Sequence, residues 1–141
     1  MNTRDSLHAQ RPGIPLPRAD VVSAPFWEGC RRRQLLYQRC TDCGYAVFNP
    51  APICRRCISR NLTWERSNGL GSVYSWSEVW RPLAPTFTVP YVAAIIDLDE
   101  GYQMVSNIIG CAVDQVVVGM RVRVDFHEVG GGVVLPYFRP R

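Results

Sequence analysis

The sequence predicts a mainly β protein in which an N-terminal helix and a small cysteine-rich ribbon precede a five-stranded barrel. Two observations point there. Cys40-x2-Cys43 and Cys54-x2-Cys57 stand ten residues apart. Beyond them the chain breaks into five short strand patterns separated by turn residues, with room for one small helical element between the third and fourth. Three segments are expected: a flexible or extended arm over 1–22, a helix plus ribbon over 23–67, and a barrel over 68–141.

The arm holds Pro12, Pro15 and Pro17 and has no apolar period. Ser23 is placed to cap a helix that carries Pro25 in its first turn. Phe26 and Cys30 fall one turn apart, with Trp27 beside them, and Arg31, Arg32 and Arg33 suit the negative end of the helix dipole. A short strand over 34–39 then leads into the first cysteine pair.

Residues 69–80 alternate apolar and polar, with Val73 out of phase with Tyr74 and Trp76. A continuous apolar run, 91–98, suits a buried strand. Glu100-Gly101 reads as a hairpin turn before a third strand over 102–109. In 121–129, Val122, Val124 and Phe126 alternate with Arg121, Arg123 and Asp125. After Gly130–Gly132, residues 133–138 form a fifth strand, whose Pro136 belongs at an edge or bulge. One helical turn is expected within 114–119. This order is that of an OB-fold, and the lack of βαβ alternation disfavours a parallel sheet.

Composition excludes several roles. With 47% hydrophobic and 20% charged residues, the chain has an ordinary globular balance. No uncharged apolar run approaches the ~20 residues of a membrane span. The start, MNTRDSLHAQRPG, lacks the apolar stretch of a secretory signal, so a cytoplasmic protein is expected. All sixteen basic residues are arginine, which excludes Schiff-base chemistry and a lysine general base. Charge is uneven: residues 1–66 carry eleven arginines against five acids, net +6, and 67–141 carry five against seven, net −2. A basic N-terminal half can meet phosphates.

The four ribbon cysteines carry the strongest chemical signal. A two-residue gap lets both thiolates of a knuckle reach one ion, and two knuckles complete a tetrahedron of sulfurs about 2.3 Å from zinc. Gly44 follows the first knuckle, where a positive φ is useful, whereas Ile58 follows the second. Arg39, Arg55 and Arg56 adjoin the thiolates and offset their charge. Two disulfides would need an oxidising compartment. Free thiols, or iron on the same ligands, stay open. A four-sulfur site has no open position for water, so the ion is expected to be structural, contributing on the order of 10 kcal/mol. Cys30 and Cys111 read as buried structural thiols.

Catalytic chemistry is missing. His8 lies in the arm, and His127 reads as a solvated or partnered surface histidine. No G-x-S-x-G occurs. The carboxylates of 97–100 read as a solvated turn, and Gly130–Gly132 has no helix or lysine after it to hold phosphate.

The motifs combine into a resemblance. Phe26-Trp27-Glu28-Gly29, Leu35 to Cys40 and the ribbon resemble the opening of an acyl-CoA-associated family long catalogued as a domain of unknown function. The likeness continues through Gly69-x-Gly71-Ser72-Val73-Tyr74-Ser75, Pro90-Tyr91-Val92, Asp97 to Gly101, Asn107 to Cys111, Val118-Gly119-Met120 and Leu135 to Pro140. It spans about residues 24–141. Family members join a rubredoxin-like zinc ribbon to an OB-fold, and this chain keeps all four cysteines.

The resemblance implies a non-catalytic accessory subunit. Such a subunit docks on a thiolase-fold partner, a sterol-carrier-type thiolase or retro-aldolase, and helps form its channel for a CoA thioester, in some cases in steroid side-chain degradation. A hydratase is a further implied partner. On that reading Trp80 and Phe87 are expected acyl contacts, and Arg31, Arg32 and Arg33 are expected partners of the CoA phosphates. Phe26, Trp27, Tyr137, Phe138 and Arg139 are expected at the partner interface. Trp76 and Tyr91 read equally well as ligand contacts or as barrel core. Two other readings stand beside this one. OB-folds bind single-stranded nucleic acid through aromatics and a basic groove, but the arginine excess here lies outside the barrel. A rubredoxin-like electron carrier would hold iron.

Overall fold

The computed structural model describes residues 6–141; the first five residues of the expected arm lie outside the described residues. A helix, α1 (Ala24–Arg31), leads into β1 (Leu36–Cys40), β2 (Ala46–Val47) and β3 (Leu62–Arg66). These three strands form an antiparallel sheet in the order β2-β1-β3. Then follow β4 (Leu70–Val79), β5 (Tyr91–Leu98), β6 (Gln103–Ile108), a single 3-10 turn (Val113–Gln115), β7 (Arg121–Glu128) and β8 (Val134–Pro140). They close a barrel in the order β4-β5-β6-β8-β7, the OB-fold arrangement expected from the strand order. No helix among the described residues is long and apolar enough to cross a membrane.

The helix starts where Pro25 and Ser23 place it, but Ser23 does not cap it with its side chain. Instead Asp20 and Ser23 bond reciprocally: the Ser23 N–H donates to Asp20 Oδ1 at 2.7 Å and the Asp20 N–H donates to Ser23 Oγ at 3.0 Å. Phe26, Gly29 and Cys30 are buried. Gly29 permits close approach to β1, since a Cβ there would lie 2.8 Å from Leu36 Cγ and 2.9 Å from the Gln34 carbonyl. Arg33 ends the helical segment in the left-handed region, at φ 59.

Burial alternates in β5 although its sequence is a continuous apolar run. In β5 every second residue, from Val92 to Leu98, is buried. In β4 the pairing with β5 shifts between Val73 and Ser75. That bulge leaves Tyr74 exposed while Trp76, expected on the same face, packs against the core.

Ribbon and barrel share one buried cluster, continuous across the expected boundary at 67/68. Tyr102, from the β5–β6 hairpin, is stacked against Tyr37 at 4.7 Å and Phe48 at 5.4 Å between ring centroids. The carboxylates of 97–100 are all engaged. Asp97 accepts from Gln103 Nε2, Asp99 takes both terminal nitrogens of Arg121 at 3.1 Å, and Glu100 accepts from Ser67 Oγ and the Asn68 N–H. The cluster forms the expected, partly solvated turn, and Glu100 also ties the ribbon's exit to the barrel.

The segment after residue 5 runs extended over the barrel. Leu7 is fully buried; its N–H donates to the Cys111 carbonyl and its carbonyl accepts from Gly110. Ile14 sits in a second buried cluster with Ile109, Val129 and Tyr137. Its apolar residues are too widely spaced to show a period, because an extended strap follows the contour of the surface it covers.

Candidate functional site

The two cysteine knuckles are built alike. Gly44 N–H donates to the Cys40 carbonyl and Ile58 N–H to the Cys54 carbonyl, at 2.8 and 2.9 Å. Each turn needs a left-handed residue: Gly44 has φ 78 and Ile58 has φ 65. The departure noted at Ile58 is therefore a β-branched residue held where glycine fits best.

These turns bring the four sulfurs within 4.8 Å of one another. Cys40 Sγ lies 3.5 Å from Cys57 Sγ, and Cys43 Sγ lies 3.7 Å from Cys54 Sγ. A disulfide would require about 2.05 Å. A tetrahedron with 2.3 Å metal–sulfur bonds has an edge of about 3.8 Å, so the donor set fits one ion, and the disulfide alternative fails. Arg56 N–H points to Cys54 Sγ at 3.4 Å. Arg39 is tied elsewhere, to Glu65, the Tyr37 hydroxyl and the Gly44 carbonyl. The Tyr37 hydroxyl, and then Arg39, hold the Glu65 carboxyl below its usual range.

A cavity of about 370 Å³ lies where α1, the Phe48–Pro50 loop, the extended arm and the barrel meet. It brings together four expected contacts from distant parts of the chain: Phe26, Trp27, Phe87 and Tyr137. Phe26 meets Trp27 and Phe48 edge-on at 4.9 and 5.5 Å. Phe87 is held over the cavity through its neighbour. The Gln10 side chain bonds both the N–H and the carbonyl of Thr88, at 2.8 and 3.0 Å, while the Gln10 N–H donates to the Tyr137 hydroxyl at 3.0 Å. Gln10 gave no signal in the sequence, since an isolated glutamine in a proline-rich arm reads as solvated.

The other expected site residues lie apart from it. Trp80 is 59% exposed at the far end of β4 and donates its indole N–H to Glu78. Arg31 and Arg32 are exposed and share Glu28, at 3.3 and 3.4 Å. Arg33 turns back to donate to the Phe126 carbonyl at 2.8 Å. Phe138 corrects an expectation: its side chain is fully buried among the barrel residues and belongs to the core, because closure of the barrel turns it inward. Arg139 pairs with Asp125, which also meets His127 Nε2 at 2.9 Å. Tyr91 is half-buried beside Phe87. Cys30 is fully buried, which pushes its thiol up to about 12, while Cys111 is only half-buried.

Comparison with known proteins covers both the ribbon and the barrel. Residues 27–63 match the family described as the ChsH2 rubredoxin-like zinc ribbon domain, and residues 64–127 match the ChsH2 C-terminal OB-fold domain. The chain is 36% identical over 126 residues to a probable enoyl-CoA hydratase alpha subunit of Thermomonospora curvata, covering 89% of this chain and 40% of that protein. It is 32% identical over 110 residues to the 3-oxo-4,17-pregnadiene-20-carboxyl-CoA hydratase alpha subunit of Mycobacterium tuberculosis, covering 78% of this chain and 35% of that protein. It thus spans well under half of either hydratase subunit. A DUF35 domain-containing scaffold protein of Methanocaldococcus jannaschii is 32% identical over 120 residues, with 83% and 85% of the two chains covered. Among solved structures, a chain of the Ltp2-ChsH2(DUF35) aldolase superposes with a TM-score of 0.81 at 35% identity, covering 89% of this chain and 98% of that one.

Proposed function

Because the chain belongs to the ChsH2 (DUF35) family of zinc-ribbon and OB-fold proteins, we propose that it is a non-catalytic accessory subunit. In this role it binds and stabilises a thiolase-like acyl-CoA enzyme and helps form that enzyme's CoA-thioester channel. The observation that supports the reading is the match to the aldolase, at a TM-score of 0.81 and 35% identity over 89% of this chain. A steroid thioester as substrate is supported by the pregnadiene-carboxyl-CoA hydratase relative, and a hydratase is a further partner.

Division of labour follows from the chemistry present. Cys40, Cys43, Cys54 and Cys57 hold Zn²⁺. Bound there, zinc cross-links the knuckles and contributes folding free energy, and four sulfur ligands leave no position for substrate. A reducing cytoplasm keeps those thiolates available. Phe26, Trp27 and Phe87 offer an apolar wall to the acyl part of the thioester. Arg31 and Arg32, exposed on one helix end, and Trp80 are available to the partner enzyme. The nucleophile or base resides in the partner.

Co-expression with a thiolase-fold partner tests this reading. The partner is expected to co-purify with the chain and to be insoluble or inactive without it. An isolated partner that cleaves its CoA substrate at full rate overturns the proposal, as does thioester turnover by the lone chain.

A further inference from the structure

β6 and β8 run parallel and register at one pair, Ile108↔Phe138, where the Ile109 N–H donates to the Phe138 carbonyl at 2.8 Å. Two residues back along β8 stands Pro136, which has no N–H to donate. The backbone ladder ends there, and a side chain joins the strands at that point instead, Ser106 Oγ donating to the Pro136 carbonyl at 2.8 Å. The opposite edge of β6 is fully used, from Val92↔Ile108 to Asp97↔Gln103 on β5. Just past those pairs the Leu98 N–H donates to the Tyr102 carbonyl. That bond sets the alternation: even-numbered residues of β6 turn their backbone groups toward β5, and Gln103 and Val105 turn theirs away. No strand registers against either residue on that side among the described residues.

The unpaired edge lies along a groove with two unlike ends. Beyond Val105 it opens into the apolar cavity under Trp27 and Phe87. Past Phe48 and Gln103 it continues into a polar hollow of about 540 Å³ that includes Arg55. Arg55 is exposed, and no carboxylate pairs with it among the described residues. Asp97 also borders the hollow, with one oxygen occupied by Gln103 Nε2. Val105 is 71% exposed despite its place in mid-strand.

We propose that the incompletely paired β6–β8 edge is a strand-addition site for the pantetheine arm of a CoA thioester. The two amides of that arm take the place of the missing ladder on Gln103 and Val105. The acyl end enters the apolar cavity, and the phosphate end lies toward Arg55. Backbone groups on one edge of a strand repeat about every 6.8 Å, and the two pantetheine amides, joined by a two-carbon spacer, fall within that span. The inference rests on the thioester reading above and adds the ligand's position and direction.

Amide hydrogen exchange on the zinc-loaded full chain tests it, with millimolar pantetheine, CoA and a short-chain acyl-CoA as probes. The Gln103 and Val105 amides are expected to slow about two- to tenfold, the effect of one net hydrogen bond each. Val105→Pro removes the N–H facing the gap and no bond to β5, and is expected to abolish that protection with the fold retained. Arg55→Gln is expected to weaken CoA binding and leave pantetheine binding unchanged. Unchanged exchange at both amides in millimolar CoA overturns the proposal. Protection of the same amides by the partner enzyme without CoA overturns it too, and would make the edge a protein-docking strand. Neither outcome touches co-purification with the partner, on which the accessory reading stands.

Discussion

Replacing Ile58 with glycine isolates the cost of the second cysteine knuckle. Ile58 holds φ 65 and exposes 72% of its surface, so it bears backbone strain while burying little. A non-glycine residue in the left-handed region costs roughly 1–2 kcal/mol. Glycine returns about 0.5–1 kcal/mol of that through its greater freedom in the unfolded chain. The net expectation is a gain of about 0.5–1 kcal/mol. The turn is needed only when the four sulfurs converge, so the gain should appear as zinc affinity, about two- to fivefold tighter in competition with a chelator. Thermal unfolding of the metal-bound chain should rise by about 2–4 °C. Ile58→Ala is the control: it trims the same side chain but keeps the Cβ, so it should gain nothing. If the glycine variant binds zinc no better than the alanine variant, backbone strain is not what distinguishes the two knuckles.

Four other outcomes are expected. Cys40→Ser or Cys54→Ser should release about one metal per chain, by metal analysis, and unfold the ribbon; retained zinc in either would contradict a four-sulfur centre. Gly29→Ala should destabilise by about 1–3 kcal/mol in denaturant unfolding, because its Cβ meets Leu36 and the Gln34 carbonyl at 2.8–2.9 Å. Gln10→Ala should accelerate hydrogen exchange at the Thr88 amide and cost about 1–3 kcal/mol, since it leaves that N–H and carbonyl unpaired; an unchanged Thr88 would show that the arm does not hold the loop. Cys30 should resist alkylation at pH 8 in the folded chain, with its thiol buried and its pKa pushed up to about 12. Labelling of Cys30 at the rate of an exposed thiol would refute that burial.

What the sequence by itself determined was whatever depends on near neighbours along the chain. A two-residue gap places two thiolates on one ion, and a period of two places one strand face inward, so the four-sulfur centre and the order of five strands were legible from the residues alone. Pro136 likewise reads as an edge or bulge residue, and it pairs with Phe126 of β7 while β6 has no backbone pair with it. Only the tertiary structure decided which distant segments meet. Phe26, Phe87 and Tyr137 line one cavity although more than a hundred residues separate the first from the last. Gln10 earns its place through Thr88, 78 positions away. Phe138 faces the barrel interior and Arg33 faces a backbone carbonyl, because closing the barrel and seating the helix on it leave each of them only that direction. Such contacts arise from the shape of the closed chain, and no local pattern of residue types encodes them.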